Sequence, residues 1–209
     1  MALCSLLAAC AASGSDPLTR GASATTELAV GTTDVHALPL QGERRRAAEK
    51  FGDAPLLDQA GRERRVFSEL VRDRVVVVSF VYTRCQGSCP GTTANLVRVR
   101  DLLGERFGRD VTFVTFSLDP ERDTPSDFAD YAARHGITDG WTFLTGGKER
   151  LEELRKDLGF YDLDPVIDAD RTQHAATLIV GNEPRARWMH VPAALPAEAL
   201  VRAIERVAK

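Results

Sequence analysis

The sequence lacks a strong excess of charge of either sign. Its 27 lysines and arginines nearly balance its 30 aspartates and glutamates, which leaves a formal net charge of −3. Proteins that bind nucleic acid usually present a basic face or stripe, and the arginine run at residues 44–46 is too short to form one. We therefore expect no nucleic-acid partner. The 44% share of hydrophobic residues in 209 positions predicts one globular domain with a short appendage.

Long apolar runs are also missing at the start of the chain. The apolar stretch at residues 1–10 is shorter than the roughly 20 residues of a membrane-spanning helix and is typical of an export signal. Residues 7–10, Leu-Ala-Ala-Cys, resemble a bacterial lipobox, in which a peptidase cuts before the cysteine and the thiol carries a lipid. We predict an exported protein, anchored through Cys10 at the outer face of the cytoplasmic membrane or in the periplasm. Simple secretion and an unprocessed cytosolic protein are the alternatives.

Cysteine is scarce, and its distribution is informative. Of the four cysteines, Cys4 and Cys10 fall in the predicted leader, which leaves Cys85 and Cys89 for the mature domain. An exported protein with only two nearby cysteines has no disulfide framework to stabilise its fold. The pair is therefore a candidate for chemistry.

Composition divides the rest of the chain into two parts. Residues 11–49 are rich in Gly, Ser, Thr and Ala and contain few large apolar residues. Such a segment cannot bury enough surface to offset its chain entropy, so we predict a flexible tether, within which residues 43–50 could be helical. We expect the folded domain to span residues 50–209.

Strand and helix patterns alternate within the predicted domain. The β-branched runs at residues 75–81 and 111–117 are typical of central strands covered on both faces. A helical pattern follows each run, and two hairpins are predicted, at residues 55–66 and 175–191. This order predicts an α/β, thioredoxin-like fold with a central mixed sheet flanked by helices and an N-terminal β-hairpin.

Cys85 and Cys89 lie between the strand at residues 75–81 and a helix that begins near Pro90. This is the carboxyl end of a strand, where α/β folds place their ligands. The helix dipole and the free N–H groups there favour the thiolate. Metal binding and disulfide exchange both require a thiolate, so the position alone does not separate the two.

The spacing adds a further hint. Thioredoxin-type redox catalysts typically have two residues between their cysteines, whereas Cys85 and Cys89 are separated by three. The pair could close a structural disulfide or leave a gap for an ion. His174, just before the apolar run at residues 175–180, could approach the pair from a neighbouring strand. Two thiolates and one imidazole form an environment that Cu(I) accepts, although an isolated histidine there is more often a simple loop residue.

Three segments carry a family resemblance. Residues 80–90 (FVYTRCQGSCP), 116–125 (FSLDPERDTP) and 141–146 (WTFLTG), together with His174, resemble the Sco/SenC family over roughly residues 50–209. These thioredoxin-like copper proteins are associated with building the copper A centre of cytochrome c oxidase. The resemblance implies that Cys85, Cys89 and His174 are copper ligands, for Cu(I) and as a further species Cu(II).

Two positions depart from the family pattern. Gln86 stands where the family often has proline, and Gln173 precedes the histidine where many members have aspartate. An acid beside a ligating histidine can orient the imidazole, so its loss is expected to alter Cu(II) affinity or redox behaviour. Asp119 and Asp123 are interpreted as turn and capping residues.

Two functions are compatible with these residues. The first is a copper metallochaperone that passes copper to an apo-cuproprotein, such as a cytochrome c oxidase subunit. The second is a thiol–disulfide reductase that keeps the cysteines of such a target reduced, with Cys85 attacking and Cys89 resolving; only this alternative makes the protein an enzyme. Thioredoxin-like oxidoreductases carry a cis-proline before the facing strand, and residues 171–174 contain no proline, which favours metal binding. A peroxiredoxin-type motif is absent because no proline precedes Thr83.

Overall fold

A mixed sheet of seven strands forms the centre of the computed structural model, which describes residues 37–170 and 176–209. The strands are β1 Pro55–Asp58, β2 Glu63–Arg65, β3 Val75–Val81, β4 Val111–Ser117, β5 Trp141–Thr145, β6 Thr177–Asn182 and β7 Arg187–Pro192. Their order across the sheet is β2-β1-β5-β4-β3-β6-β7. The three central strands β5, β4 and β3 are parallel, and the outer pairings are antiparallel.

The helices lie on both faces of this sheet. They are α1 Ala37–Phe51, α2 Ser88–Leu103, α3 Pro125–Arg134, α4 Lys148–Asp157, α5 Pro165–Ala169 and α6 Ala197–Ala208, with a short π-helix at Val66–Val71. One buried apolar cluster joins the sheet to α2, α3 and α6, and a second joins it to α1, the π-helix and α4. No helix within the described residues is both long and apolar enough to cross a membrane.

Strand β3 is apolar at every position except Ser79, whose buried hydroxyl is hydrogen-bonded to that of Thr115. Val77 and Val81 belong to the cluster on one face, whereas Val76, Val78 and Phe80 belong to the cluster on the other. Successive side chains of a strand point to opposite faces, so a strand covered on both sides is mostly apolar on both faces rather than alternating. Because β3 and β4 are parallel and in register from Val75 to Val81, the loops that follow them leave the same edge of the sheet. This edge is called the carboxyl edge below.

The predicted fold class is confirmed, including the N-terminal hairpin formed by β1 and β2. The predicted domain boundary at residue 50 differs from the structure. Residues 37–49, predicted as part of the tether, belong to α1, whose Ala47 and Phe51 are buried against the sheet. Residues 1–36, with the predicted leader and Cys10, lie outside the described part of the chain.

An ion pair explains why α1 packs although its sequence has few large apolar residues. Arg44 donates to both carboxylate oxygens of Glu183, at 2.6 and 2.9 Å, and the backbone N–H of Asp73 donates to the same carboxylate at 2.8 Å. Glu183 is 1% exposed, and a buried carboxylate without partners costs several kcal/mol, on the order of 3–5 when one partner is removed. The partners are 139 residues apart, which is why composition alone did not reveal the contact.

Candidate metal centre

The two domain cysteines lie at the carboxyl edge, where β3 leads into α2. Cys85 is in the connecting loop and 9% exposed, whereas Cys89 is in the first turn of α2 and 1% exposed. They are not joined in a disulfide. The helix begins at Ser88, two residues before the predicted start near Pro90, so Cys89 belongs to the helix rather than to the loop.

The sulfur of Cys85 accepts hydrogen bonds from the beginning of α2. Burial alone would raise the pKa of the Cys85 thiol. This effect is outweighed by hydrogen bonds from the Cys89 thiol and from the backbone N–H groups of Cys89 and Gly87, and by a further one from the Tyr82 hydroxyl. The pKa of Cys85 therefore lies below the ordinary value of a thiol, as expected for a sulfur at a helix N-terminus.

Cys89 behaves in the opposite way. Deep burial, together with the hydrogen bond that its thiol donates to Cys85, raises the pKa of Cys89 to about 12. Of the two thiols, Cys85 therefore loses its proton first, whereas Cys89 keeps its proton. A soft cation that binds both sulfurs would displace this proton, because thiol ligands bind metals as thiolates.

Two tyrosines border the pair and remain protonated at physiological pH. Burial and the hydrogen bond to Cys85 raise the pKa of Tyr82 to about 12. Burial also raises the pKa of Tyr131 to about 12, and its hydroxyl is 2.7 Å from the Thr93 hydroxyl, one turn after Cys89 in α2. Both phenols can donate hydrogen bonds but add no negative charge around the sulfurs.

Asp123 fixes the cysteine loop, a role that the sequence did not reveal. Its carboxylate is 1% exposed and accepts hydrogen bonds from the Thr83 backbone N–H at 3.0 Å, the Thr83 hydroxyl at 2.6 Å and the Ser117 hydroxyl at 2.6 Å. The loop after β3 is thereby tied to the loop after β4, two residues before Cys85. The capping box of α3 is made by Thr124 and Asp127 instead. Sequence position held a clue, because Thr83 and Asp123 both follow strands that end at one edge.

The third predicted ligand, His174, lies outside the described residues, as do the rest of 171–175 and Gln173. Within the described part of the chain, no group of three His, Cys, Asp or Glu side chains forms a metal site. Strand β6 begins at Thr177 and runs antiparallel to β3, with Ile179 opposite Val78. The chain therefore comes into β6 from the carboxyl edge. Gln86, the other departure from the family pattern, is exposed.

The donor set fits a soft metal ion. Two thiol sulfurs lie in hydrogen-bonding contact, one has a lowered pKa, and the two tyrosines that border them are neutral. Hard cations such as Mg²⁺ and Ca²⁺ require several oxygen ligands, whereas thiolates select Cu(I) and Zn²⁺. The geometry supports a thiolate metal site or a dithiol redox site.

The fold and the thiol pair together define a thioredoxin-like protein whose cysteine pair lies at the start of a helix. The SCO1/SenC family model matches residues 43–209, and the chain belongs to this family. The protein SenC of Rhodobacter capsulatus is 32% identical over 164 residues, which cover 75% of this chain and 68% of that protein. A Stutzerimonas stutzeri protein named for copper binding is 28% identical over 161 residues, which cover 73% of this chain and 76% of that protein.

Other relatives match a smaller part or the fold alone. The SCO1 protein homolog of Bacillus subtilis is 33% identical over 88 residues, so the match covers 41% of this chain and only 45% of that protein. A SCO1/SenC family lipoprotein from Bacillus anthracis has the same fold, with a TM-score of 0.61, 24% identity and coverage of 75% and 93%. Bradyrhizobium japonicum ScoI with copper bound gives a TM-score of 0.59, 22% identity and coverage of 73% and 96%.

The asymmetry of the two thiols predicts unequal reactivity. In the reduced chain at pH 7, we expect iodoacetamide to alkylate Cys85 faster than Cys89 by about tenfold or more, because the thiolate is the reacting form. The alkylation rate at Cys85 should rise with pH and then level off. The pH at which the rate is half-maximal should lie below the pKa of an ordinary thiol, since the pKa of Cys85 is lowered. Peptide mass spectrometry of timed samples measures both sites.

A matched variant tests whether the faster alkylation of Cys85 comes from its lowered pKa or from its accessibility. Tyr82→Phe removes a hydrogen-bond donor to the Cys85 sulfur without opening the loop, so the midpoint of Cys85 alkylation should move to higher pH. The assigned hydrogen bonds would be contradicted if the pH of half-maximal alkylation in the parent equalled the pKa of an ordinary thiol and did not change in the variant.

Proposed function

We propose that this protein is a copper metallochaperone that holds Cu(I) with Cys85, Cys89 and His174 and passes it to an apo-cuproprotein. The observation that carries the proposal is the buried thiol pair at the start of α2, with Cys85 biased towards the thiolate, in a member of the SCO1/SenC family. The name of the Stutzerimonas relative and the copper bound to the Bradyrhizobium ScoI support copper as the metal. Cu(II) is proposed as a further species at the same ligands.

The recipient is proposed to be a subunit of cytochrome c oxidase that carries a copper A centre. A structural relative, BsSco, is described as a member of a family of cytochrome c oxidase assembly proteins; it shares this fold with a TM-score of 0.62 at 21% identity. Transfer would proceed by ligand exchange, in which sulfur ligands of the recipient replace those of the donor one at a time. Protonation of Cys89, favoured by its raised pKa, would then help to release the ion.

The same two thiols support a second candidate, a thiol–disulfide reductase. Cys85, with its lowered pKa, would attack a target disulfide, and Cys89 would lose its proton and resolve the mixed disulfide. The target is reduced to two thiols while the pair is oxidised to a disulfide. This reaction makes no use of His174, so that residue discriminates between the two functions.

The decisive variant is His174→Ala. The reduced parent should bind about one Cu(I) in competition with a chromogenic Cu(I) chelator, because two thiolates and one imidazole complete a three-coordinate site. Loss of the imidazole should weaken Cu(I) binding by about tenfold or more, a change of roughly 1.4 kcal/mol or more, and leave thiol exchange with insulin unchanged. The control is His190→Ala, which removes an exposed histidine of β7 and should bind Cu(I) as the parent does.

The opposite pattern would favour the reductase. Equal Cu(I) affinity in the parent and in the His174 variant, together with strong insulin reduction by the parent, contradicts the metallochaperone.

We also propose that the protein is exported and held at the membrane through a lipid on Cys10. The lipobox-like residues 7–10 and the Bacillus anthracis relative, which is a lipoprotein, support this. In cells that express the chain, Cys10→Ser should abolish incorporation of labelled palmitate and release the protein from the membrane fraction, whereas Cys4→Ser should change neither. Labelling that survives in the Cys10 variant would exclude the anchor.

A further inference from the structure

Four large apolar side chains are exposed on one short segment that includes α5. Tyr161 is 50% exposed, Leu163 90%, Val166 77% and Ile167 37%; they are called the apolar patch below. Among the described residues, the other exposed large hydrophobic side chains are Leu57 and Leu102, which lie far from this segment in the sequence. Isolated exposed leucines are normal in soluble proteins, whereas a cluster of this kind marks an interaction site.

The apolar patch is held on a rigid support. Asp168, in α5, receives hydrogen bonds at both carboxylate oxygens from the guanidinium of Arg155, at 2.6 and 2.7 Å. Arg155 is 3% exposed and also donates to the backbone carbonyl of Phe160. The Asp164 side chain accepts from the Val166 backbone N–H at 2.9 Å and caps α5. Because the backbone is already ordered, a partner that binds here pays little for immobilising it.

The apolar patch stands at the carboxyl edge, the edge of the sheet that also carries the thiol pair. The ring of Phe160 packs against Phe80 near the end of β3, with 4.6 Å between the ring centroids. Tyr161 and Ile167 line a cavity of about 50 Å³ together with Leu118, which follows β4 directly. Phe80 is two residues before Tyr82, whose hydroxyl contacts the Cys85 sulfur. Tyr82 packs against the clusters on both faces, so a protein docked on the apolar patch would cover the edge of the sheet that carries the thiols.

The charges around the apolar patch restrict what can cover it. Residues 155–171 contain five aspartates against two arginines and one lysine, and one of these aspartates, Asp168, is paired with Arg155. The charge that remains is negative, and it opposes binding to an anionic membrane surface and a symmetric dimer in which two copies bring the same patch together. It attracts a protein whose docking face has an apolar centre surrounded by lysines and arginines.

We propose that the apolar patch is the docking site for the protein that exchanges copper with this chain, and that this partner presents an apolar centre with a basic rim. The inference rests on the proposed function, because it takes the thiol pair to be the point of exchange. It adds the surface that aligns the partner and the chemistry of that partner's face.

The test compares two variants of the reduced full chain. Leu163→Ser with Val166→Ser removes the two most exposed members of the apolar patch, and Leu102→Ser is the matched control, an exposed leucine on α2. The probe is the apo soluble copper A domain from the oxidase of the organism that encodes this chain. Isothermal titration calorimetry measures its binding, and chelator competition measures Cu(I) affinity separately.

We expect the double variant to bind the copper A domain about tenfold or more weakly than the parent and the Leu102 variant, with unchanged Cu(I) affinity. Binding by the parent should also weaken as salt is raised from about 50 to 300 mM, since the attraction of opposite charges is screened. Equal binding by the double variant and the parent overturns the proposal.

Two further outcomes also overturn the docking proposal. One is a parent that sediments as a dimer while the double variant is a monomer, because a second copy then covers the apolar patch. The other is patch-dependent binding to vesicles of phosphatidylglycerol. Failure of the proposed function is distinguishable from both: the parent would then bind the copper A domain through the apolar patch and yet fail to hold Cu(I) against the chelator.

Discussion

The site depends on the hydrogen bonds that the start of α2 provides to the sulfur of Cys85. They lower the pKa of a thiol in a loop that is almost fully buried, where burial alone would raise it. The parallel pairing of β3 with β4 brings the loops together, and the carboxylate of Asp123 holds them in place. The register of the sheet, the hydrogen bonds of Asp123 and the N-terminus of α2 thus together position and stabilise one sulfur atom.

The unequal acidity of the two thiols does not by itself separate copper binding from disulfide exchange. A nucleophilic Cys85 and a protonated Cys89 suit attack and resolution, and they suit capture and release of a soft cation equally well. The two proposed functions act on the same kind of target, so the distinction has to come from a third ligand. His174, rather than the cysteines, is therefore the residue whose variant separates them.

Local patterns predicted the parts of the structure that depend on local sequence. The alternation of strand and helix patterns, together with the two hairpins, was sufficient for the fold class, and the position of Cys85 between a strand and a helix was sufficient for the thiol pair. The packing of α1 was missed because it depends on the pairing of Arg44 with Glu183, 139 residues away. The brace by Asp123 and the support of α5 by Arg155 were missed for the same reason, since buried polar contacts between distant residues leave no periodic pattern. The place of His174 was predicted from family resemblance and stays a prediction.

The most direct test of the copper site is X-ray absorption at the copper K-edge of the reduced chain loaded with one equivalent of Cu(I). The account predicts two sulfur scatterers and one nitrogen scatterer, and loss of the nitrogen alone in the His174→Ala variant. A first shell without sulfur, or a two-sulfur shell that is identical in the parent and the variant, would contradict it.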